Sequence, residues 1–391
     1  MKTITSTQDL AINGASPAFN EPLHVGYPNL GNREAFLKYA DDIFERKRLS
    51  NNGPLVQELE QRIAEHHQVK HCVAICNGTV ALEIAIRALE LEKEVIVPSY
   101  TFIATAHALH WQGIKPVFAD ISSNTHNIDP ESVSKLITPD TTGIIGVHLW
   151  GRPAPVDELQ SLADEKGLKL MFDSAHAFGC SHNGVMIGNF GQCEVLSFHA
   201  TKFFNTFEGG AILTNDDSLA GKFRLMRNFG FSDLDDVTHP GTNGKMIEVA
   251  GAMGLVNLNS LPEIIEKNRE NYFEYIAQLN DIPGVSLQYY NESEKNNYQY
   301  IVVELQDDCM CSRDEIIHAL REENILARRY FWPGCHNMLP YRTIDPHVGN
   351  HLPNTKKIAD NVIVLPTGTA IGKYEINTIA SIIRVLIASQ H

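Results

Sequence analysis

Cys72-Val73-Ala74-Ile75-Cys76-Asn77-Gly78-Thr79-Val80-Ala81-Leu82-Glu83-Ile84-Ala85-Ile86 is the stretch from which the fold is read. Its first five residues form a short apolar run suited to a buried strand. An Asn-Gly turn interrupts the run, and a helical apolar pattern continues from Val80 to Glu90. Similar strand-like runs recur at Val95 to Pro98, Pro116 to Ile121, Gly143 to Leu149, Lys169 to Asp173, Val195 to Phe198 and Gly210 to Thr214. Most are continuously apolar rather than alternating, as expected when helices cover both faces of a sheet. Helical patterns fit between the early strands at Ala104 to Gln112, Pro130 to Leu136 and Val156 to Glu165. Strands alternating with helices predict an α/β fold with a large, doubly wound, mostly parallel sheet.

From Ser218 to about Leu279 the pattern becomes helical, with Ile264 to Leu279 as one long amphipathic element. A smaller α+β unit follows. Its signals are a strand at Tyr298 to Leu305, a helix opened by Ser312 with Glu315 as its capping-box partner, an apolar run at Val362 to Leu365, and a closing helix to about Ala388. The expected division is a large domain over residues 1–260, including the N-terminal segment, and a small C-terminal domain over 261–391. The first twenty or so residues read as poorly tied down.

A chain of 391 residues exceeds what one hydrophobic core usually serves, which suits two domains. The formal charge of -15 argues against a nucleic-acid partner, because such binding needs a concentrated basic face. No apolar run is long enough to cross a bilayer and no basic-then-apolar leader opens the chain, so a cytoplasmic location without membrane attachment is expected. The seven cysteines include no CxxC pair, which argues against metal or disulfide use. Cys309 and Cys311 would share one face if they lay on a strand, but no second ligand pair accompanies them, and buried thiols are the plainer reading.

Three residue groups carry chemistry. Asn77-Gly78-Thr79 stands between a strand and a helix, where exposed N–H groups and the helix dipole make an anion site. Taken alone, an ordinary turn with a threonine cap is the favoured reading. Asp173 ends an apolar strand, where ligand crevices of open α/β sheets lie. A carboxylate there suits a protonated ring nitrogen, or simply caps the next turn. Lys202 follows the strand Val195 to Phe198 in an apolar and aromatic setting, within Ser197-Phe198-His199-Ala200-Thr201-Lys202 and ahead of Glu208-Gly209-Gly210. Desolvation there would lower its pKa, as an imine-forming amine requires, although most lysines are solvated surface. The three occur in this order, each at a strand end of one expected sheet, and that conjunction says more than any member.

The sequence resembles the sugar aminotransferases of the DegT/DnrJ/EryC1/StrS group, which are fold type I pyridoxal 5'-phosphate (PLP) enzymes. The resemblance runs from Leu49-Ser50-Asn51-Asn52-Gly53-Pro54 through Pro98-Ser99-Tyr100-Thr101-Phe102, His148-Leu149-Trp150-Gly151, Asp173-Ser174-Ala175-His176 and the Lys202 segment. It continues through Gly241-Thr242-Asn243, Tyr330 to His336 and Leu365-Pro366. It implies that Gly78, Thr79 and Ser197 hold the cofactor phosphate and that Phe102 stacks on the ring. It also implies that Asp173 takes the ring nitrogen and that Lys202 carries the aldehyde carbon as a Schiff base. His176 stands where the family usually has Gln near the ring hydroxyl, so its tautomer matters. Asn243 matches a residue that reaches the phosphate of the neighbouring subunit, which implies a homodimer with shared active sites. Lys245 and Val249 depart from the family's usual Arg and Gln.

The activity implied is amino transfer from L-glutamate to a keto-sugar on a nucleotide, with Lys202 as the base and acid that moves the proton. The segments Pro98 to Thr105 and Ser197 to Lys202 look like those of enzymes that aminate C4 of dTDP-4-keto-6-deoxyglucose for O-antigen or related glycans. Amination at C3 and UDP- or GDP-linked sugars stay open. Arg328, Arg329 and His336 are candidates for the substrate's pyrophosphate, with surface charge as the alternative for the arginines. Lys202 argues against a dehydratase, which this family links to His at that position. A catalytically silent regulator or scaffold is disfavoured by the complete catalytic set, and an NAD enzyme by the absence of Gly-x-Gly-x-x-Gly after the first strand.

Overall fold

The computed structural model describes residues 2–389. Seven strands form the central sheet: β1 (His71–Ile75), β2 (Glu94–Pro98), β3 (Lys115–Ala119), β4 (Thr141–Val147), β5 (Lys169–Asp173), β6 (Cys193–Ser197) and β7 (Gly210–Thr214). Their spatial order is β1-β7-β6-β5-β4-β2-β3. Strand β7 runs antiparallel to both neighbours, and the other pairings are parallel. The apolar runs are continuous because successive side chains enter different cores. Val73, Val195 and Ile212 face one side, against α3 (Gly78–Ala88), α4 (Ala104–His110) and α7 (Asp217–Met226). Ala74, Leu196 and Leu213 face the other, against α1 (Arg33–Arg46), α2 (Pro54–His67) and α8 (Glu248–Asn259). Farther along the sheet Ile96, Ile144 and Phe172 meet α5 (Pro130–Leu136) and α6 (Val156–Lys166). Each fully buried large side chain of this kind contributes about 1.5–3 kcal/mol.

The stretch from Ser218 is not helical throughout. After α7 the chain leaves helix over residues 228–247, where the isolated bridges Asn228 to Asn243 and Phe231 to Val237 fold it back on itself. Gly230, Pro240, Gly241 and Gly244 account for the break, since glycine and proline disfavour helix interiors. Helix α9 (Leu261–Leu279) then spans two cores, with Ile264 in the core of the large sheet and Tyr272, Tyr275 and Leu279 in that of the C-terminal unit.

The C-terminal unit is a three-stranded antiparallel sheet of β8 (Val285–Leu287), β9 (Ile301–Leu305) and β10 (Val362–Leu365). It packs with α10 (Arg313–Glu322) and α12 (Lys373–Ala388). Ser312 and Glu315 form the expected capping box. Helix α11 (Pro353–Asn361) is fastened to the large sheet by Asp120, whose carboxylate accepts from the N–H groups of Asn354 (3.0 Å) and Thr355 (2.8 Å). Cys309 and Cys311 lie in the loop before α10 rather than on a strand, and the Cys309 thiol donates to the Cys311 carbonyl.

The N-terminal segment corrects the expectation that it is poorly tied down. It also packs with the C-terminal unit rather than with the large sheet: Ile4 and Leu10 belong to that unit's core, and Leu23–His24 pairs with Ile325–Leu326. The buried carboxylate of Glu323 accepts from the N–H groups of Ala11 and Ala18, each at 2.6 Å, and from the Lys2 ammonium at 2.8 Å. Among the described residues, no helix is long and apolar enough to cross a membrane.

Candidate active site

The carboxyl ends of β1, β5 and β6 open into one cavity of about 710 Å³. At its first wall β1 passes through Asn77 into α3. Asn77 is the N-cap, and its side-chain oxygen accepts from the Val80 N–H at 2.9 Å. The turn lies flat against the sheet because both sides of it lack a side chain. A Cβ on Gly210 would stand 2.8 Å from the Gly78 nitrogen, and one on Gly78 would stand 2.9 Å from the Ser197 Cβ. The N–H groups of Gly78 and Thr79 and the hydroxyls of Thr79 and Ser197 have no hydrogen-bond partner among the described residues. Four donors thus converge at the positive end of a helix, an arrangement whose electrostatics favour an anion.

Asp173, the last residue of β5, is buried with both carboxylate oxygens occupied. Oδ2 accepts from the Thr105 hydroxyl at 2.8 Å and Oδ1 from the Ala175 N–H at 3.1 Å. Burial raises its pKa, opposed by those two hydrogen bonds and by the charges of Lys202 and His148. Lys202 lines the same cavity, partly exposed, with its backbone N–H donating to the His199 carbonyl at 2.8 Å. Burial lowers its pKa from 10.5 to about 8, and the Asp173 charge pulls the other way. An amine in that range is a usable nucleophile near neutral pH, which an ordinary lysine is not.

His176 lies near-parallel to Trp150 (5.8 Å, 22°) and Phe331 (6.0 Å, 18°), which stack on each other at 5.3 Å, with Tyr300 at 4.4 Å. The Trp150 backbone N–H donates to His176 Nδ1 at 3.2 Å. That bond assigns the ring proton to Nε2, so His176 is a hydrogen-bond donor through its other nitrogen. Burial, with help from the Lys202 charge, pushes its pKa well below the usual value and keeps the ring neutral. Phe102 lines the cavity and is exposed, its edge toward Phe331.

Gly78, Thr79, Phe102, Asp173, His176, Ser197, Lys202 and Arg328 therefore meet at one cavity. Arg328 lies over the Tyr330 ring at 4.8 Å and makes no ion pair among the described residues. Two candidates for the substrate side are corrected. Arg329 turns away to Asp314 at 3.3 Å and covers Trp332, because adjacent residues in extended chain point to opposite sides. His336 is buried behind the wall with Nδ1 2.7 Å from the Ser99 hydroxyl. Asn243 does not line the cavity of its own chain. It is exposed on the 228–247 segment, where its side-chain oxygen accepts from Lys245 Nζ at 2.6 Å. Sequence reasoning missed Thr105, and also Gln299 and Tyr300, which the C-terminal unit contributes to the cavity wall. A threonine between two alanines in the first turn of a helix carries no signal of its carboxylate partner 68 positions away.

The model of the DegT/DnrJ/EryC1/StrS aminotransferase family matches residues 31–384. A dTDP-4-amino-4,6-dideoxy-D-glucose transaminase of Shigella dysenteriae is 37% identical over 364 residues, covering 93% of this chain and 99% of the relative. A GDP-perosamine synthase of Escherichia coli O157:H7 is 30% identical over 321 residues, covering 81% and 86% of the two chains. Among solved structures, that of DesI in the presence of its TDP-sugar product superposes with a TM-score of 0.93 at 45% identity, covering 98% of this chain and 97% of the other.

Proposed function

The chain belongs to the DegT/DnrJ/EryC1/StrS aminotransferase family, and on that premise we propose that it transfers the amino group of L-glutamate to C4 of dTDP-4-keto-6-deoxy-D-glucose, with pyridoxal 5'-phosphate as cofactor. The observation that carries the reading is the meeting of a four-donor phosphate receptacle, a buried carboxylate and a low-pKa lysine at the ends of three strands. The cavity suits this cofactor on its own chemistry. Gly78 lets the turn lie close against Ser197, which brings the serine hydroxyl beside the turn, and the unpartnered donors there match phosphate oxygens. When bound, the cofactor supplies an electron sink for the carbon that loses its proton.

Each residue then has a task. Gly78, Thr79 and Ser197 hold the phosphate, and Phe102 covers the ring. Asp173, held by its two donors, keeps the ring nitrogen protonated. His176 donates from Nε2 to the ring hydroxyl, the role for which its tautomer is fixed. Lys202 would hold the cofactor through its aldehyde carbon, and its amine would serve as the base and acid that moves the substrate's proton. Arg328 receives the pyrophosphate of the sugar nucleotide, a role supported by its lack of any carboxylate partner among the described residues.

We assign Asn243 to the site of a second copy of the chain, in a homodimer. Support comes from the exposed apolar residues around it. Phe229 lies 4.6 Å beneath Lys245, and Ile247 adjoins Leu49 through the hydrogen bond from Glu248 N–H to the Leu49 carbonyl. The seven unpaired cysteines suit a cytoplasmic location, where thiols stay reduced. The test is to offer the PLP-loaded protein glutamate with dTDP-, UDP- and GDP-linked 3- and 4-keto-6-deoxy sugars and to identify products by mass and NMR. A dTDP-linked 4-amino sugar is expected. A product aminated at C3, or turnover of UDP or GDP sugars alone, would overturn the substrate assignment.

A further inference from the structure

The mechanism above needs Asp173 ionised, yet the site buries it, and burial favours the neutral acid. What opposes burial is a directed chain of hydroxyls. Thr105 sits in the first turn of α4, fully buried, with Oγ1 2.8 Å from Asp173 Oδ2 and 3.2 Å from the hydroxyl of Thr101. An ionised carboxylate can only accept, so Thr105 must give its single proton to Oδ2. Its oxygen is then left as an acceptor, and Thr101 must donate to it. The opposite carboxylate oxygen is held as an acceptor by the Ala175 N–H. Both oxygens are therefore met by donors, and the carboxylate plane is fixed by two residues from two different segments, with Thr101 orienting the hydroxyl of one of them.

We propose that Thr105, backed by Thr101, is a positioning residue that holds Asp173 as an oriented anion and so keeps the shared proton on the cofactor's ring nitrogen. The inference rests on the PLP reading above and assigns a role to residues outside the cofactor's own contact set. The charges that act on Asp173 are those of Lys202 and His148, and the titratable side chains of His176 and Tyr300 line the adjoining wall. The near hydrogen-bond donors on the carboxylate are the Thr105 hydroxyl, oriented by Thr101, and the Ala175 N–H.

The experiment compares wild-type, Thr105→Val, Thr105→Ser and Thr101→Val proteins, each as the PLP-loaded enzyme. Two quantities are read besides activity: the pH midpoint of the visible band of the bound cofactor, and the equilibrium affinity of the stripped protein for PLP. Removing a hydrogen bond to a charged group should weaken PLP binding about tenfold and raise the midpoint by about one pH unit in Thr105→Val. Thr105→Ser, which keeps the hydroxyl, should return both to near wild type, and Thr101→Val should shift them the same way by less. Unchanged midpoint and affinity in Thr105→Val would overturn the proposal. So would a Thr105→Ser protein that behaves like Thr105→Val, since the methyl group and not the hydroxyl would then be responsible. A wild-type protein with no visible band would instead sink the PLP reading itself.

Discussion

The lowered pKa of Lys202 makes a prediction about pH that can be measured on the protein stripped of cofactor. With a pKa of about 8, roughly a quarter of the amine is unprotonated at pH 7.5, against about a thousandth for a lysine at 10.5. Capture of PLP should thus be about two-hundredfold faster at that pH than for an unperturbed lysine, and its rate should level off above pH 8 to 9. Stopped-flow absorbance from pH 6 to 10 gives the midpoint directly. Asp173→Asn removes the charge that supports the ammonium form, so its midpoint should fall below that of the wild type. Stability follows the same linkage. Between about pH 8 and 10.5 the unfolded chain binds more protons at this lysine than the folded one, so the stripped protein should gain stability as pH rises through that window. Below it the cost of the buried charge is fully present, and Lys202→Met should flatten the rise. A wild-type capture midpoint near 10.5, or one that Asp173→Asn moves upward, would refute the reasoning.

Other residues give independent tests. Gly78→Ala brings a methyl group within 2.9 Å of the Ser197 Cβ and pushes the helix end off the sheet, so PLP affinity should fall about tenfold to a hundredfold in equilibrium titration while the melting temperature changes little. Arg328→Gln should raise KM for the sugar nucleotide about tenfold with a smaller effect on kcat, since a ground-state anion contact is lost. Glu323→Ala leaves the N–H groups of Ala11 and Ala18 without their acceptor and should cost about 2 kcal/mol of local stability, read as faster hydrogen exchange and proteolysis within the first twenty residues.

The sheet was legible because its strands are local. Lys169 to Asp173 and Gly210 to Thr214 are bounded by turns and contain few polar residues, and the structure gives both ranges unchanged. Asp173, Lys202 and the Asn77-Gly78 turn were legible for the same reason, since each follows directly from a strand end. The arrangement around them was not. Thr105 reaches Asp173 across 68 positions, and Glu323 reaches Ala11 across 312, and neither partner alters the periodicity around the other. Arg328 and Arg329 are alike in sequence, and only the extended backbone, which sends neighbours to opposite sides, separates the one at the cavity from the one paired with Asp314. His336 resembled a site histidine because its segment does contribute Tyr330 and Phe331 to the wall. Its own ring is buried outside the cavity, with Nδ1 paired to the Ser99 hydroxyl. The tautomer of His176 depends on a backbone N–H of Trp150, 26 residues earlier, and no side-chain pattern reports it.

Attachment of the cofactor to one particular lysine can be read from a single peptide map. Stripped protein is incubated with PLP, reduced with borohydride, digested and mapped by mass spectrometry. One pyridoxyl group per chain is expected, attached to Lys202, and none in Lys202→Ala. Label spread over several surface lysines, or stable label on another residue in the Lys202→Ala protein at the wild-type level, would contradict the assignment of Lys202 as the residue that holds the cofactor.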